Sequence, residues 1–338
     1  MTHQIPNRRE FLQAGVAGIT VAGIAGAAQT EKINAGGIPL RPLGRTGEMV
    51  TILCLGGYHS TRHQDEAESI RLIQRAVDEG ISFLDNAWDY HDGVAEERMG
   101  KALAEGGRRD KVFLMTKCCG RTASDAQKNL DDSLRRLKTD HLDLWQFHEV
   151  IYDNDPDWIF DKGGAIETAL RAKQQGKIRF LGFTGHKDPA IHLKMLAKPY
   201  DWATVQMPLN VMDGHFRSFQ KLVLPELVKR QIGPLGMKSL GGAGKIVSDA
   251  GVAIEDALRY VLSLPISALV SGIDSMQVLE QNLKIVREFK PLDASERTRI
   301  ERQTAKLAGD GRFELFKTSK MYDGKVHRGQ HGFATDIA

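Results

Sequence analysis

The sequence is poor in cysteine, in charge of one sign and in long apolar runs. Its 338 residues include three cysteines, 46 Lys+Arg and 43 Asp+Glu, which leaves a formal net charge of +3. Three cysteines, two of them adjacent at Cys118 and Cys119, predict no disulfide framework. A small charge spread along the chain argues against nucleic acid as the main partner. With 41% hydrophobic residues, the chain can bury a large core, either as one large α/β barrel or as two domains.

The first thirty residues are typical of an export signal. Arg8 and Arg9 precede a run without charge from Ala14 to Ala28, and Ala25-Gly26-Ala27 offers a small-residue cleavage site. The run is too short to span a bilayer comfortably. The pattern resembles a bacterial twin-arginine signal over residues 1–27. It predicts the twin-arginine export machinery as a partner and a periplasmic location if the signal functions, whereas an uncleaved signal would remain as a membrane anchor.

The rest of the chain alternates short β-rich runs with amphipathic helical patterns, and no Pro/Ser-rich linker divides it. The predicted strands are Thr51–Leu55, Ser82–Asp85, Val112–Thr116, Leu142–Phe147, Ile178–Thr184, Thr204–Met207, Ile232–Lys238 and Ile266–Ser271. Eight strands are the number that closes a parallel barrel. A doubly wound sheet is the alternative, but Leu55-Gly56-Gly57-Tyr58 lacks the GxGxxG turn of a dinucleotide-binding sheet.

The fold class predicted is therefore α/β, a single (β/α)8 TIM barrel over residues 38–310. Residues Ile38 to Met49 are predicted to form a β-hairpin that closes the barrel bottom. One helix follows Leu292, and residues 311–338 are predicted to be a polar tail.

Polar residues stand at the carboxyl ends of consecutive predicted strands, where parallel barrels carry their active sites. Asp85 ends the second strand, Tyr90 follows five residues later, Lys117 ends the third and His148 ends the fourth. Each of them alone could be a cap, a packed ring or a solvated charge. Together they are hard to explain by packing, because unpaired charges there would cost several kcal/mol.

These residues and their surroundings resemble the aldo/keto reductase superfamily. The similarity extends from about Arg41 to about Arg287, with its motifs in the family's order. They are Gly80-Ile81-Ser82-Phe83-Leu84-Asp85-Asn86-Ala87 with Tyr90, Met115-Thr116-Lys117, Ser133-Leu134-Arg135-Arg136-Leu137 with His148, Gly176-Lys177-Ile178-Arg179, and Gln281-Asn282-Leu283.

The resemblance implies an NAD(P)-dependent oxidoreductase that interconverts carbonyl compounds and alcohols. Hydride transfer builds negative charge on a carbonyl oxygen, and Tyr90 is the implied general acid/base. The Lys117 ammonium would favour the phenolate, and Asp85 would hold Lys117 as an ion pair. His148 would donate a second hydrogen bond to the carbonyl oxygen.

The resemblance also implies a set of cofactor-binding residues. They are Gly56, Gly57, Asp85, Thr184, Gln206, Met237, Lys238, Ser239, Leu240, Gly241, Gly272, Ser275, Gln281 and Asn282. Gly185 stands where many members carry Asn, and Gly272 and Val278 replace basic residues that hold the 2′-phosphate of NADP. Asp274 would repel that phosphate. The cofactor is thus NADP(H), which the family commonly uses, or NAD(H).

Two alternatives remain open from the sequence. A nicotinamide-binding sensor or regulatory barrel with vestigial turnover would suit an exported protein without a free cofactor pool. His148-Glu149 with His186 suggests a metal-dependent barrel, but the spacing of a helical two-His metal motif is absent, so no metal ligands are predicted. Loop residues beside the tetrad suggest a sugar or another hydroxylated carbonyl compound as substrate; these are Trp88, His91, Trp145, Glu149 and Tyr152.

Overall fold

The structure is a computed structural model that describes residues 32–242 and 244–336. The predicted signal over residues 1–27 lies outside the described residues, as does Ala243. Among the residues described, no helix is long and apolar enough to cross a membrane.

A small antiparallel sheet comes first and covers the bottom of the barrel. Its strands are β1 (Lys32–Ile33), β2 (Pro39–Pro42) and β3 (Met49–Thr51), with Leu40 opposite Thr51. Leu43 and Val50 are fully buried and pack against the barrel's inner cluster with Phe83 and Leu144. The predicted hairpin is confirmed, and β1 adds a strand to it.

Eight parallel strands form a closed barrel, as the sequence predicts. They are β4 (Leu53–Gly56), β5 (Phe83–Asp85), β6 (Phe113–Cys118), β7 (Leu142–Phe147), β8 (Ile178–Thr184), β9 (Thr204–Pro208), β10 (Gly233–Met237) and β11 (Ala268–Ser271). The barrel closes where β11 pairs with β4, with Leu269 opposite Leu53. The observed strand ends differ from the predicted ones by at most two residues.

Helices connect the strands and turn their apolar faces to the barrel. They are α1 (Gly57–Ser60), α2 (Glu66–Asp78), α3 (Val94–Leu103), α4 (Ala123–Leu137), α5 (Asp155–Phe160), α6 (Ala165–Gln174), α7 (Pro189–Leu196), α8 (Phe219–Leu222), α9 (Leu224–Lys229), α10 (Lys245–Ser248), α11 (Ile254–Leu262) and α12 (Met276–Arg287). In α2 the apolar stripe buries Leu72, Ile73, Ala76 and Val77. The larger hydrophobic core therefore lies between the strands and this outer layer.

The C-terminal region differs from the prediction of one helix and a polar tail. Three helices follow α12, namely α13 (Ala294–Ala305), α14 (Leu315–Thr318) and α15 (Lys325–Gln330). The last two bury Phe316 and His327 completely. The polar composition of residues 311–336 concealed this packing, because many of their charged groups are paired inside the fold. These residues are called the C-terminal cover below.

Candidate active site

Alternation along the strands brings the predicted catalytic residues to one mouth of the barrel. Side chains two residues apart on a strand share a face. The inner cluster contains Phe83 and Met115, so the same inward face continues to Asp85 and Lys117. All of the predicted catalytic residues line one cavity of about 800 Å³, namely Asp85, Tyr90, Lys117 and His148.

Lys117 is the centre of this group. Its side chain is 1% exposed, and its Nζ forms a close ion pair with Asp85 Oδ1. The same Nζ donates to the Asn86 carbonyl oxygen at 2.6 Å and lies 3.4 Å from the Tyr90 hydroxyl. Burial raises the pKa of Asp85, while the Lys117 ammonium acts in the opposite direction. The lysine thus has its charge compensated and still contacts the phenol.

Tyr90 begins a short 3-10 turn, Tyr90–Gly93, in the loop after β5. His91 and Asp92 in this turn have φ of 53° and 55°, in the left-handed region. The Tyr90 ring meets the rings of His148 and Tyr58 edge to face, at centroid distances of 5.5 and 5.3 Å. Burial, followed by the Asp85 charge, raises the pKa of Tyr90 well above its usual value. Burial and the Asp85 charge thus favour the protonated phenol, the form that can donate a proton, and the Lys117 ammonium lies 3.4 Å from its oxygen.

His148 is oriented by groups that the sequence analysis did not assign. Its Nδ1 lies 2.9 Å from Asp89 Oδ1 and 3.5 Å from Cys119 Sγ. Asp89 directly precedes Tyr90 in the sequence, which was the available signal for its role. These contacts fix one ring nitrogen and leave Nε2 as the nitrogen available to a substrate.

The same cavity holds most of the predicted cofactor residues. Those that line it are Gly56, Asp85, Thr184, Gln206, Met237, Lys238, Ser239, Leu240, Gly272, Gln281 and Asn282. Gln206 is 1% exposed, and its Nε2 donates to the Met237 sulfur at 3.6 Å. Its Oε1 has no hydrogen-bond partner among the described residues. A buried acceptor without a partner costs free energy unless a ligand supplies a donor. A carboxamide N–H₂ would fit this position.

Lys238 supplies positive charge beyond β10. Its Nζ lies 5.5 Å from the Tyr322 ring centroid and 5.7 Å from the Phe316 ring centroid. Within residues 32–242 and 244–336 no carboxylate pairs with it. Burial lowers its pKa, as expected for an ammonium that has lost water. A phosphate anion would compensate this charge, so the residues present fit a dinucleotide.

Three predicted cofactor residues do not line the cavity. A Cβ at Gly57 would lie 2.6 Å from the Asp85 carbonyl oxygen, and one at Gly241, where φ is +77°, would lie 2.9 Å from the Phe313 carbonyl oxygen. Ser275 Oγ accepts from Val278 N at 3.2 Å and caps α12. These residues shape the backbone around the site rather than border the space within it.

An exposed ion pair also borders the cavity. Arg62 Nη2 lies 2.8 Å from Asp274 Oδ2, and both side chains are partly exposed. Both residues line the cavity, together with Gly272. Asn282 Nδ2 donates to Ser271 Oγ at 2.8 Å and is buried. Asp274 is thus neutralised by an arginine that the sequence analysis did not associate with it.

The C-terminal cover closes over the catalytic end and contributes residues that the sequence analysis missed. Gly324 N donates to Glu149 Oε2 at 2.6 Å, and Tyr152 Oη donates to Asp323 Oδ2 at 2.9 Å. Five consecutive residues of the cover line the cavity, namely Met321, Tyr322, Asp323, Gly324 and Lys325. Of the loop residues considered for substrate contact, Glu149 lines the cavity.

The tryptophans considered for substrate contact pack elsewhere. Trp145 is fully buried in the core. Trp88 Nε1 donates to Asp132 Oδ2 at 3.2 Å, and its ring packs against the guanidinium of Arg136. Neither tryptophan lines the cavity, so their suggested contact with a substrate is not supported.

Comparison with known proteins gives a consistent result. Residues 52–249 match the model of the aldo/keto reductase family. The chain is 35% identical over 159 residues to the uncharacterized oxidoreductase YrpG of Bacillus subtilis, a match that covers 41% of this chain and 47% of YrpG. The chain therefore spans about half the length of that relative.

Two further similarities cover more of the chain. It is 30% identical over 242 residues to the 6-dehydroglucose reductase of Novosphingobium aromaticivorans, with 65% of this chain and 76% of that protein covered. The fold resembles the holo form of aldo-keto reductase AKR11C1 from Bacillus halodurans, with a TM-score of 0.66, 24% identity, and coverage of 79% of this chain and 96% of that one. The chain belongs to the aldo/keto reductase family.

Proposed function

We propose that this protein is an NAD(P)-dependent oxidoreductase that interconverts carbonyl compounds and alcohols, with Tyr90 as general acid/base. The observation that carries the proposal is the Tyr90 hydroxyl 3.4 Å from Lys117 Nζ, in a cavity that also contains the unpartnered Gln206 Oε1. A bound nicotinamide dinucleotide would supply or accept the hydride. Thr184 and Gln206 would hold its carboxamide, and Lys238 with Ser239 and Leu240 would hold its phosphates.

The chain's own residues perform the proton chemistry. In reduction, Tyr90 donates its phenolic proton to the carbonyl oxygen as negative charge develops there. Lys117 stabilises the phenolate that results, because its ammonium is 3.4 Å away. Asp85 holds Lys117 in place. His148, fixed through Nδ1 by Asp89, presents Nε2 to the substrate oxygen and orients the substrate. Alcohol oxidation uses the same groups in reverse.

The substrate that we propose is a hydroxylated carbonyl compound such as an oxidised sugar. The carboxylate of Glu149 and the ammonium of Lys325 line the catalytic end of the cavity, and such groups bind hydroxyls. The similarity to a protein named 6-dehydroglucose reductase supports the same class. Between NAD(H) and NADP(H), the Arg62–Asp274 pair favours NAD(H), because Asp274 already neutralises Arg62 and repels a 2′-phosphate.

The test uses the purified full chain with NADH or NADPH and a panel of sugar-derived and simple aldehydes. Cofactor oxidation is followed by absorbance, and cofactor binding is measured separately by fluorescence titration. Tyr90→Phe should bind cofactor as the wild type does and lose about 100-fold or more in turnover. Tyr200→Phe, remote from the cavity, should keep both. Full turnover by Tyr90→Phe would show that Tyr90 is not the acid.

We propose further that residues 1–27 direct export by the twin-arginine machinery and that the protein works in the periplasm. The support is the Arg8-Arg9 pair ahead of the uncharged run. Replacing both arginines with lysine in the full chain should retain the protein in the cytoplasm. Unchanged export of that variant would contradict the assignment.

A further inference from the structure

A cluster of four potential metal ligands lies beneath the C-terminal cover. Asp89, Cys119, His148 and His327 each place one ligand atom within 4.8 Å of all the others. Asp89 follows β5, Cys119 follows β6, His148 follows β7 and His327 lies in α15. We propose that these four residues bind one zinc ion. The sequence analysis predicted no metal ligands, because it examined local spacing and His327 is far from the others in the chain.

The ligand set is one that zinc prefers. Zinc binds thiolate, imidazole and carboxylate groups, and structural sites are tetrahedral with four protein ligands. Bonds of about 2.0–2.3 Å place the ligand atoms of such a site roughly 3.3–3.8 Å apart. Cys119 Sγ and His148 Nδ1 are 3.5 Å apart, and His148 Nδ1 and Asp89 Oδ1 are 2.9 Å apart. All four ligand atoms lie within 4.8 Å of one another, so coordination would draw the wider pairs closer together.

His327 provides an independent observation that points to a ligand. Its imidazole is fully buried, and its Nε2 has no hydrogen-bond partner among the described residues. The Glu149 carboxylate approaches it only to 3.8 Å, through Oε2. A buried nitrogen without a partner is costly. A metal ion would use its lone pair.

Coordination through Nε2 requires the proton of His327 to lie on Nδ1, where Arg121 Nη2 approaches at 3.3 Å. That contact is long, and it would be lost. The same Nη2 donates to the carbonyl oxygens of His148 and Glu149 at 2.9 Å each, so Arg121 keeps its better partners. Coordination therefore costs this hydrogen bond and requires the two N–H donors, His327 Nδ1 and Arg121 Nη2, to move apart.

The charges also balance. Binding releases the thiol proton of Cys119 to solvent, and the thiolate and the Asp89 carboxylate together match the double charge of the ion. Two neutral imidazoles complete the set. No electron transfer or further reactant is involved.

A zinc ion here would act on the site in two ways. Coordination of His148 through Nδ1 leaves the imidazole proton on Nε2, which is the nitrogen available to a substrate oxygen. It would also tie α15 to the barrel mouth and thereby fix the C-terminal cover. The zinc site does not rest on the proposed hydride transfer, although the two share His148.

The test is metal analysis of the full chain purified from cells grown with added zinc, without chelators. Elemental analysis should find about one zinc per chain. X-ray absorption of the wild type should show one sulfur and three nitrogen or oxygen neighbours, a result that depends on no variant. Cys119→Ala and His327→Gln should lose at least about ten-fold in zinc affinity. His331→Gln, just after the same helix, should keep it.

Cobalt gives a second readout. The Co²⁺-loaded wild type should show a thiolate-to-cobalt charge-transfer band that Cys119→Ala lacks. Wild-type protein that carries no stoichiometric zinc and shows no such band would overturn the proposal, whether or not the protein reduces carbonyls. Cys119 would then be a packed thiol, and Asp89 would act on His148 by a hydrogen bond alone.

Discussion

Two buried lysines of this protein are each paired with a carboxylate and a backbone carbonyl. They differ in whether a substrate cavity and a titratable hydroxyl lie beside them. Lys117 and Lys317 are each 1% exposed. Lys117 pairs with Asp85 and donates to a backbone carbonyl. Lys317 pairs with Asp213 at 2.7 Å and Glu314 at 2.9 Å, and donates to the Phe216 carbonyl at 2.8 Å.

The difference is the third neighbour. Lys117 borders the cavity and lies 3.4 Å from the Tyr90 hydroxyl. Lys317 does not line the cavity, and its Nζ lies 5.6 Å from the centroid of the Phe219 ring. A buried, paired lysine is therefore not in itself a sign of catalysis. The signs are a titratable hydroxyl beside it and space for a substrate.

The largest effect is expected for Lys117→Met. Loss of the ammonium leaves Asp85 buried without its partner, which should cost about 3–5 kcal/mol of folding free energy. It also removes the charge that stabilises the Tyr90 phenolate, so turnover per folded molecule should fall by about 100-fold or more. Denaturant unfolding and initial rates on the same preparation measure the two effects. Near-normal turnover of the folded fraction would show that Lys117, like Lys317, contributes to stability and not to catalysis.

Lys317→Met should show only one of these effects. Asp213 and Glu314 lose their shared cation, and the free energy of unfolding should fall by about 3–5 kcal/mol. Turnover per folded molecule should stay within about two-fold of the wild type at temperatures below the transition, because Lys317 touches no group in the cavity. A large loss of turnover in the folded state would indicate that the packing of the C-terminal cover helps to position the catalytic residues.

A smaller effect concerns pH and the Lys317 cluster. Burial raises the pKa of Glu314 to about 7, although Lys317 opposes the shift. Because the unfolded chain releases this proton near pH 4.5, the folded state binds the extra proton between about pH 4.5 and 7. Its contribution to stability is therefore present at low pH and is lost as the pH rises through that window, by about 3 kcal/mol at most. Glu314→Gln should flatten this part of the stability profile measured by chemical denaturation. A profile identical to that of the wild type would contradict the assignment.

The smallest effect is expected at the exposed pair. Asp274→Asn should change the free energy of unfolding by less than about 1 kcal/mol, because exposed ion pairs contribute little. The variant frees Arg62 and removes a negative charge, so NADPH should bind a few-fold more tightly while NADH binding changes less. Fluorescence titration with both cofactors measures the ratio. An unchanged ratio would show that Asp274 does not face the adenosine end.

The barrel could be predicted because its signals are local. Each strand has a short apolar run, and the period of two continues from Phe83 to Asp85 and from Met115 to Lys117, which identifies the inward-facing polar residues. Gln206 and Lys238 were expected in the cofactor site only from the family resemblance, and both line the cavity. The order of the motifs identified the family, which the comparisons confirm.

Contacts between distant parts of the chain could not be predicted. His327 reaches the vicinity of Arg121, 206 residues away, and Lys317 pairs with Asp213 at a separation of 104 residues. The C-terminal cover has a polar sequence, which predicts exposure. Several of its charged side chains are nevertheless buried, because distant parts of the chain supply their partners. Asp89 could not be assigned for a different reason. Its contact with His148 joins the loops after two different strands, and its position next to Tyr90 does not by itself indicate that contact.

Hydride transfer from the cofactor to the substrate carbon can be followed directly with a deuterium label. Wild-type protein would be given nicotinamide cofactor that carries deuterium at both C4 positions, together with an aldehyde that it reduces. Mass spectrometry of the product should find one deuterium on the new carbinol carbon, and Tyr90→Phe should form the same labelled product about 100-fold more slowly or worse. Unlabelled alcohol from the wild type, or equal rates for the two proteins, would contradict hydride transfer assisted by Tyr90 and Lys117.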